Sequence, residues 1–324
     1  MSVSKLETLI KNNDFYHLYQ PIYDIQRWEI IGVEVLFRSD LFVSPVEVFE
    51  LAKEEGKLID LEKLSISKGI TGFSNLSDND HLHLYINVFP STISNPLFRE
   101  FLNQQVKQSN VKQQQIVIEI IESEAIRDLL ELKSHIRRLK NDGFITAIDD
   151  VGKGASTLQT IMELEPQIIK MDHYFSEELP YSTLKQRMLE SLLGYCRQTD
   201  TKMILEGIES IKILEVAKSL GIQEGQGFYL GVPNTLETFL ADQPNPCEIE
   251  QFNQQIKSWV QNKVPVKLKL SDDQLVSGTI ILFDKRSQRI MVYTNDDEKI
   301  EHIELKHVKN ISSEKSYMSI DNLR

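Results

Sequence analysis

The sequence predicts a (β/α)8 TIM-like barrel followed by a small all-β domain. Over roughly the first 240 residues, apolar β-type runs alternate with helical patterns, which is typical of a parallel sheet with helical crossovers. About seven such units and an opening hairpin favour a closed barrel over an open doubly wound sheet. After Pro265 the pattern changes to short strands of alternating polarity, which indicates a separate β domain.

The composition is that of an ordinary globular protein, with 41% hydrophobic and 26% charged residues among 324. The formal net charge of −12 argues against nonspecific binding of nucleic acid or of an anionic membrane. Cys196 and Cys247 show no paired spacing, which fits a reducing compartment and excludes a cysteine zinc cluster. The sequence shows neither a signal-peptide pattern nor an apolar stretch of about 18–20 residues, so we expect a cytoplasmic protein without membrane contact.

Two β-rich runs open the predicted barrel, Phe15–Ile25 and Glu29–Phe37, and a short connection separates them. Such a connection predicts an antiparallel hairpin. The second run carries Glu34 near its end. Helical stretches are predicted next, over Val46–Glu54 and Leu58–Phe73.

The following strands and helices alternate regularly. Leu82–Val88 and Gln115–Ile121 have strand character, and a helix is predicted to start at Pro96 between them. Glu124–Leu139 is predicted as a helix because its apolar residues recur at intervals of three and four. The apolar strand that begins at Ile145 then ends in two adjacent aspartates.

The last part of the predicted barrel continues the alternation. The elements are a strand over Gln167–Met171, a helix over Leu184–Arg197, a strand over Lys202–Leu205, a helix over Ile211–Leu220, a strand over Ile222–Gly227 and a short helix to Leu240. Gly221 is predicted to end the second of these helices, since glycine is favoured just after a helix terminus.

A proline-containing stretch around Pro244 and Pro246 predicts the boundary of the barrel. Glu248–Val260 has an apolar stripe and is predicted as a connector helix. The predicted domains are a barrel over residues 1–243, the connector over 244–263, a small β-barrel-like domain over 264–312 and a tail over 313–324.

Short strands are predicted throughout the C-terminal domain. They cover Val266–Leu270, Leu275–Phe283, Arg289–Thr294 and Lys299–Leu305, with a candidate fifth over His307–Ile311. From Val264 to Arg324 ten basic residues balance ten acidic ones, so no basic patch supports RNA binding. The sequence leaves the partner of this domain unassigned.

Polar residues stand at the C-terminal ends of the predicted barrel strands, where the active sites of such barrels lie. These residues are Glu34, Asn87, Glu119, Asp149, Asp150, Lys170 and Glu206. Helix capping explains a single acid at such a position equally well, because turns from strand to helix favour Asp and Glu. Their recurrence at the ends of so many strands favours one common site.

Hard divalent cations such as Mg²⁺ and Mn²⁺ prefer oxygen ligands. Glu34, Asn87, Glu119 and Asp149 would form one all-oxygen site. Asp150 would bridge to or hold a second ion. Two ions about 3.5–4 Å apart can hold a phosphodiester and activate a water for in-line attack. Lys170 would orient that water or stabilise the charge of the transition state, while Glu206 and Glu209 lie on a neighbouring loop.

Eight short motifs follow one another along the predicted barrel. They are Gln20-Pro-Ile22, Glu34-Val-Leu-Phe-Arg38, Asn87-Val-Phe-Pro90, Glu119-Ile-Ile-Glu122, Asp149-Asp-Val-Gly-Lys-Gly154, Lys170-Met-Asp172, Glu206-Gly-Ile-Glu209 and Gln226-Gly-Phe-Tyr-Leu-Gly-Val-Pro233. In these motifs and their order the chain resembles the EAL-domain family of cyclic di-GMP phosphodiesterases. The resemblance covers about Phe15 to Leu240 and implies a barrel with one antiparallel strand, which suits the opening hairpin.

The resemblance implies roles for the motif residues in cleaving cyclic di-GMP to linear pGpG with two Mg²⁺ or Mn²⁺ ions. The implied metal ligands are Glu34, Asn87, Glu119, Asp149 and Asp150, and Glu206 joins them or assists the hydrolytic water, which Lys170 contacts. Glu122 is implied to anchor the loop after Asp150, and Glu209 and Gln226 to support the site. Gln20, Arg38 and Asp172 are implied substrate contacts, together with Gln226.

Five positions depart from the family pattern. Phe89 replaces a serine, Ile121 a threonine, Val151 a phenylalanine, Lys153 a threonine and Ala155 an aromatic residue. The loop Val151–Ala155 couples dimerisation to metal binding in this family, so the resemblance implies a homodimer formed through the barrel. Because every implied metal ligand is present, we expect an active enzyme. The altered loop leaves open a catalytically weak or inactive cyclic di-GMP receptor that signals through its C-terminal domain.

Overall fold

The computed structural model describes residues 4–76, 79–121, 128–153, 157–236, 246–284, 289–294, 299–313 and 317–319. It contains two compact units, Met1–Phe239 and Leu240–Arg324. Among the described residues, no helix combines the length and the apolar character that crossing a membrane requires.

The first unit is a closed eight-stranded barrel in which the strands neighbour one another in chain order. The strands are β1 Tyr16–Asp24, β2 Glu29–Arg38, β3 His83–Val88, β4 Ile116–Ile120, β5 Ile145–Val151, β6 Ile168–Met171, β7 Lys202–Leu205 and β8 Glu224–Gly225. β1 runs antiparallel to both β2 and β8, and every other neighbouring pair is parallel. The predicted barrel with one antiparallel strand is confirmed.

One helix precedes the first barrel strand, and others connect the strands. They are α1 Lys5–Asn12, α2 Pro45–Glu54, α3 Leu58–Ser74, α4 Pro90–Ile93, α5 Phe98–Lys107, α6 Leu129–Asn141, α7 Thr157–Leu164, α8 Thr183–Thr199 and α9 Ile211–Leu220. The sequence prediction missed α1, α4 and α7, which have eight, four and eight residues and therefore span too few turns for a clear apolar period.

Two predicted helix starts and one predicted strand differ from the structure. The helix expected from Pro96 begins at Phe98. The start expected at Glu124 lies outside the described residues, and α6 is described from Leu129. The last strand, expected over Ile222–Gly227, is only the two-residue β8, because the chain leaves the sheet for the loop that carries Gln226.

An apolar layer fills the barrel interior. It consists of Ile22, Tyr85, Val117, Ala147, Ile168 and Ile204, each from a different strand and each almost inaccessible to solvent. Buried parallel strands are apolar on both faces, and all five residues of β4 are buried. Because strand side chains alternate in direction, the residue two positions further along each strand also points into the barrel.

The second unit combines one helix with an antiparallel sheet. The helix α10 covers Pro246–Gln261. The strands are β9 Pro265–Leu270, β10 Leu275–Asp284, β11 Arg289–Thr294, β12 Lys299–Glu304, β13 Val308–Ser312 and β14 Tyr317–Ser319, in the order β12-β11-β10-β9-β13-β14. Ile256 and Trp259 of α10 join the core of this sheet, so the connector helix is part of the same unit.

The strand β14 falls in the stretch predicted as a C-terminal tail. It pairs with β13 in antiparallel register, from Asn310 opposite Ser319 to Ser312 opposite Tyr317. Three residues are too few to show strand periodicity, and their backbone groups pair only because the edge of β13 is available.

Candidate metal centre

The predicted site residues form a polar layer directly above the apolar one. Asn87 lies two residues beyond Tyr85, Glu119 beyond Val117, Asp149 beyond Ala147, Lys170 beyond Ile168 and Glu206 beyond Ile204. Strand periodicity therefore points these side chains into the barrel at its C-terminal mouth. On the antiparallel β1 the direction is reversed, and Gln20 faces Glu34 across the β1–β2 ladder.

Lys170 is at the centre of this layer and is 1% exposed. Its Nζ atom contacts four carboxylates, at 2.8 Å to Glu119 Oε1, 2.8 Å to Glu206 Oε1, 3.1 Å to Glu34 Oε2 and 3.3 Å to Asp149 Oδ1. One buried cation thus faces four acids, which leaves an excess of negative charge in the barrel mouth.

Two amides orient Glu34 from opposite sides. Asn87 Nδ2 donates to Glu34 Oε1 at 2.9 Å, and Gln226 Nε2 donates to Glu34 Oε2 at 2.8 Å. Burial raises the pKa of Glu34, but Lys170 and these two hydrogen bonds outweigh it, so that the pKa is lowered overall. Glu34 is therefore held as a carboxylate in a fixed orientation.

The other acids around Lys170 are harder to ionise. Burial raises the pKa of Glu119 well above its usual value and also raises that of Asp149, although Lys170 opposes both shifts. Burial likewise raises the pKa of Glu206 to about 8 against the attraction of Lys170. The four carboxylates raise the pKa of Lys170 well above its usual value despite its own burial. Additional positive charge in the mouth would stabilise the ionised forms of these acids and lower their pKa values.

The described residues fit a divalent cation. Asp149, Asp150 and Glu206 can each offer one oxygen, and these oxygens lie within 4.8 Å of one another. Oε2 of Glu119 is buried without a hydrogen-bond donor in the described part of the chain, and the Lys170 ammonium group is the donor near Glu119 Oε1 and Asp149 Oδ1, at 2.8 and 3.3 Å. Buried oxygens without donors are costly, and an all-oxygen donor set suits Mg²⁺ or Mn²⁺.

A β-bulge brings two consecutive acids into one site. Between the pairs Ile148–Ile169 and Val151–Met171, β5 contains one residue more than β6. Asp150 has a φ of 53°, in the left-handed region that Asp tolerates better than most residues. Regular alternation would point Asp149 and Asp150 to opposite faces, so the bulge and the unusual φ re-aim Asp150 towards the mouth.

Asp150 also interacts with the loop that follows it. Lys153 Nζ lies 3.2 Å from Asp150 Oδ2 and 4.0 Å from Asp172 Oδ2. Burial raises the pKa of Asp150, Lys153 lowers it, and a hydrogen bond with Asp172 raises it further. Asp172 is 2% exposed and accepts a hydrogen bond from the Tyr174 backbone N at 2.9 Å.

Two further predicted substrate contacts lie at the mouth without joining the acid cluster. Gln20 Nε2 donates to the Gly231 carbonyl at 3.2 Å, and an Arg38 guanidinium nitrogen donates to the Phe37 carbonyl at 2.7 Å. Both side chains are half-buried.

Two predicted site residues are not placed in the cluster. Glu209 is exposed and makes no hydrogen bond or ion pair with the residues that the structure describes. Glu122 lies outside the described residues, as do Gly154 and Ala155 of the altered loop.

Sequence reasoning missed Glu62 of α3. This acid is 2% exposed, accepts a hydrogen bond from the Phe89 backbone N at 2.9 Å and another from the Thr92 hydroxyl. It thereby caps α4 and holds the turn that follows Asn87. The sequence feature that could have identified Glu62 is its position next to Leu61, among the apolar residues of a predicted helix.

Comparisons with known proteins agree with this geometry. The EAL domain model matches residues 3–233. "Cyclic di-GMP phosphodiesterase PA2567" of Pseudomonas aeruginosa is 28% identical over 247 residues, which cover 74% of this chain and 42% of that protein. "Probable cyclic di-GMP phosphodiesterase PdeI" of Escherichia coli is 27% identical over 228 residues, covering 68% and 29%. The chain therefore spans less than half the length of these curated relatives.

Solved structures show the same barrel. An EAL domain protein from Listeria monocytogenes matches with a TM-score of 0.66 and 24% identity, over 74% of this chain and 96% of that one. A manganese and cyclic di-GMP complex of Klebsiella pneumoniae BlrP1 matches with a TM-score of 0.63 and 25% identity, over 68% and 56%. With the family model matched along 3–233 and the barrel confirmed, the chain belongs to the EAL domain family.

Proposed function

We propose that this chain is a metal-dependent phosphodiesterase that hydrolyses cyclic di-GMP to linear pGpG. The observation that carries the proposal is the convergence of four carboxylates on the buried Lys170 at the barrel mouth, where one ammonium group faces four acids and Glu119 Oε2 is buried without a described donor. The names of the relatives support the substrate, and the structure of BlrP1 with manganese supports the kind of metal.

Two divalent ions, Mg²⁺ or Mn²⁺, would supply Lewis acidity and a nucleophilic water of lowered pKa. We assign their protein ligands to the carboxylates and the amide of the mouth, namely Glu34, Asn87, Glu119, Asp149, Asp150 and Glu206. Asn87 donates through its nitrogen to Glu34, so its oxygen is free to face an ion. Gln226 holds the other side of Glu34.

Lys170 acts as a fixed positive charge in this proposal. Because its surrounding acids raise its pKa, it stays protonated at neutral pH and donates hydrogen bonds. It therefore orients the attacking water and stabilises negative charge that develops on the phosphoryl oxygens. Glu122 and Glu209 keep the supporting roles that the family motifs imply.

The substrate contacts lie around the acid cluster. Arg38 suits a phosphate because its guanidinium presents several donors in one plane, and Gln20 and Asp172 offer polar contacts to the rest of the ligand. A pocket of about 250 Å³ is lined mainly by apolar side chains, and its polar lining residues are Arg38, Asn87, Ser65, Glu50 and Glu62. Apolar walls with a few polar groups suit the flat face of a nucleobase.

We also propose that the chain forms a homodimer through the barrel. Leu158 and Met162 of α7 and Leu184 and Met188 of α8 are 59%, 69%, 80% and 46% exposed. The two helices follow the neighbouring strands β5 and β6, and exposed large apolar side chains that form one patch are typical of interfaces. With only two cysteines in the chain, we propose a cytoplasmic location.

A second candidate is a cyclic di-GMP receptor with little or no turnover. It is favoured by the contact of Lys153 with Asp150, since a lysine on a proposed metal ligand weakens the attraction for a cation. The C-terminal sheet would then pass the signal to a partner.

Hydrolysis of cyclic di-GMP tests both candidates. Purified protein is incubated with cyclic di-GMP and Mn²⁺ or Mg²⁺, and pGpG is quantified by chromatography, with EDTA as the metal-free control. Metal-dependent formation of pGpG is expected. Folded protein that binds cyclic di-GMP without forming pGpG would support the receptor, and folded protein that does neither would overturn both proposals.

A further inference from the structure

The loop after β5 carries a second lysine whose environment differs from that of Lys170. Lys153 is 61% exposed on its side chain, and its Nζ lies 3.2 Å from Asp150 Oδ2 and 4.0 Å from Asp172 Oδ2. Lys170 is 1% exposed and contacts four other carboxylates, but no contact joins it to Asp150 within the described residues. The positive charge at Asp150 therefore comes from Lys153.

Asp150 is also one of the three acids whose oxygens lie within 4.8 Å of one another, with Asp149 and Glu206 as the others. A cation bound there must share Asp150 with the Lys153 ammonium group or displace it. The two positive charges repel each other at such distances. The exposed side chain of Lys153 can turn into solvent when an ion arrives.

We propose that the Lys153 ammonium group competes with a divalent cation for Asp150. Lys153 thereby lowers the affinity for metal of the position formed by Asp149, Asp150 and Glu206. The inference rests on the proposed metal centre and goes beyond it, because it assigns a function to a residue that holds neither metal nor substrate. The ammonium group neutralises Asp150 while no ion is bound, and it is released when the ion binds.

The expected change in Mn²⁺ affinity depends on how exposed the ion pair between Lys153 and Asp150 is. An exposed ion pair contributes up to about 1 kcal/mol, and repulsion between Lys153 and a bound ion is screened by solvent. Removing the charge of Lys153 should therefore tighten Mn²⁺ binding about two- to fivefold. A buried competitor such as Lys170 would have a much larger effect.

Direct Mn²⁺ titration without substrate tests the proposal. Free Mn²⁺ is measured by electron paramagnetic resonance for the full chain and for Lys153→Met, Lys153→Arg and Lys112→Met. Lys112 is a matched control, because it is 56% exposed and pairs with the acid Asp80 at 2.7 Å away from the site. We expect tighter binding in Lys153→Met alone, with Lys153→Arg and Lys112→Met close to the parent protein.

A double-mutant comparison locates the effect at Asp150. In an Asp150→Asn background, Lys153→Met should no longer change Mn²⁺ affinity. Equal Mn²⁺ affinity of Lys153→Met and the parent protein, with unchanged circular dichroism, would overturn the inference while leaving the metal centre intact. If Lys153 instead contacts a phosphate of the substrate, the same variant would weaken cyclic di-GMP binding and leave Mn²⁺ affinity unchanged. Absence of Mn²⁺ binding in every variant would overturn the metal centre and the inference together.

Discussion

The barrel interior contains two layers that lie only two residues apart on the same strands and have opposite chemistry. The lower layer is apolar and fully packed, as at Val117 and Ile204. The upper layer contains Glu119 and Glu206, whose pKa values burial raises, together with a buried lysine. We infer that the lower layer stabilises the fold, whereas the upper layer is retained for binding and chemistry at a cost in stability.

The largest expected effect belongs to the upper layer. Glu34→Gln removes the charge of a proposed metal ligand but keeps the shape of the side chain, so we expect the rate of pGpG formation to fall by about 10²–10³ or more. Glu215→Gln on the exposed face of α9 makes the same chemical change and should leave the rate unaltered. Steady-state hydrolysis assays measure both variants. Full activity in Glu34→Gln would remove Glu34 from the metal centre.

A change in the lower layer should reduce stability and leave the rate of hydrolysis nearly unchanged. Ile204→Ala leaves a cavity in the barrel core and is expected to lower the free energy of unfolding by about 2–4 kcal/mol. Urea denaturation measures the loss, and the rate per folded molecule should remain within a few-fold of the parent value. A large loss of turnover in folded Ile204→Ala would show that the two layers are not separable.

The acids of the upper layer should also make the stability of the protein depend on pH. The folded pKa of Glu206 is raised to about 8, above the ordinary value of 4.5. Its contribution to stability is therefore complete below about pH 4.5 and is lost as pH rises towards 8. Glu119 and Asp149 shift in the same direction, whereas Glu34 shifts in the opposite one.

We therefore expect metal-free protein to unfold at lower urea concentration at pH 8.5 than at pH 6. Glu206→Gln should reduce this difference, and saturating Mn²⁺ should reduce it in the parent protein, because the ion favours the ionised acids. Unfolding curves in EDTA and in Mn²⁺ at the two pH values measure the effect. A metal-free stability that rises with pH over this range would contradict the assignment of raised pKa values to the mouth.

The smallest effect is expected for charges outside the mouth. Arg99 is 48% exposed and pairs with Asp142 through two guanidinium nitrogens, at 2.7 and 2.6 Å. Arg99→Ala should lower the free energy of unfolding far less than Ile204→Ala and leave turnover unchanged, because solvent screens exposed pairs. Thermal unfolding and the hydrolysis assay test this together. A loss comparable to that of Ile204→Ala would show that charge pairs outside the mouth also stabilise the barrel strongly.

Local sequence patterns predicted most of the barrel strands and longer helices, and they predicted which residues lie at the C-terminal ends of the strands. Alternation and the polar residue after each apolar run place Asn87, Glu119 and Asp149 at the barrel mouth. The short helix α4 and the strand β14 could not be predicted in this way, because three or four residues contain too little periodicity. Glu62 was missed because its partners lie on a different segment of the chain.

The family, the order of most strands and helices, and the acids that face the barrel interior could be predicted from residue types and from a period of two along each strand. Which of these side chains contact one another became visible only in the folded barrel. The convergence of four acids on Lys170, the bulge that turns Asp150 towards the mouth, and the contact of Lys153 with Asp150 all depend on closure of the barrel or on local backbone geometry. Contacts between distant segments follow from the packing of all eight strands together, which no local pattern contains.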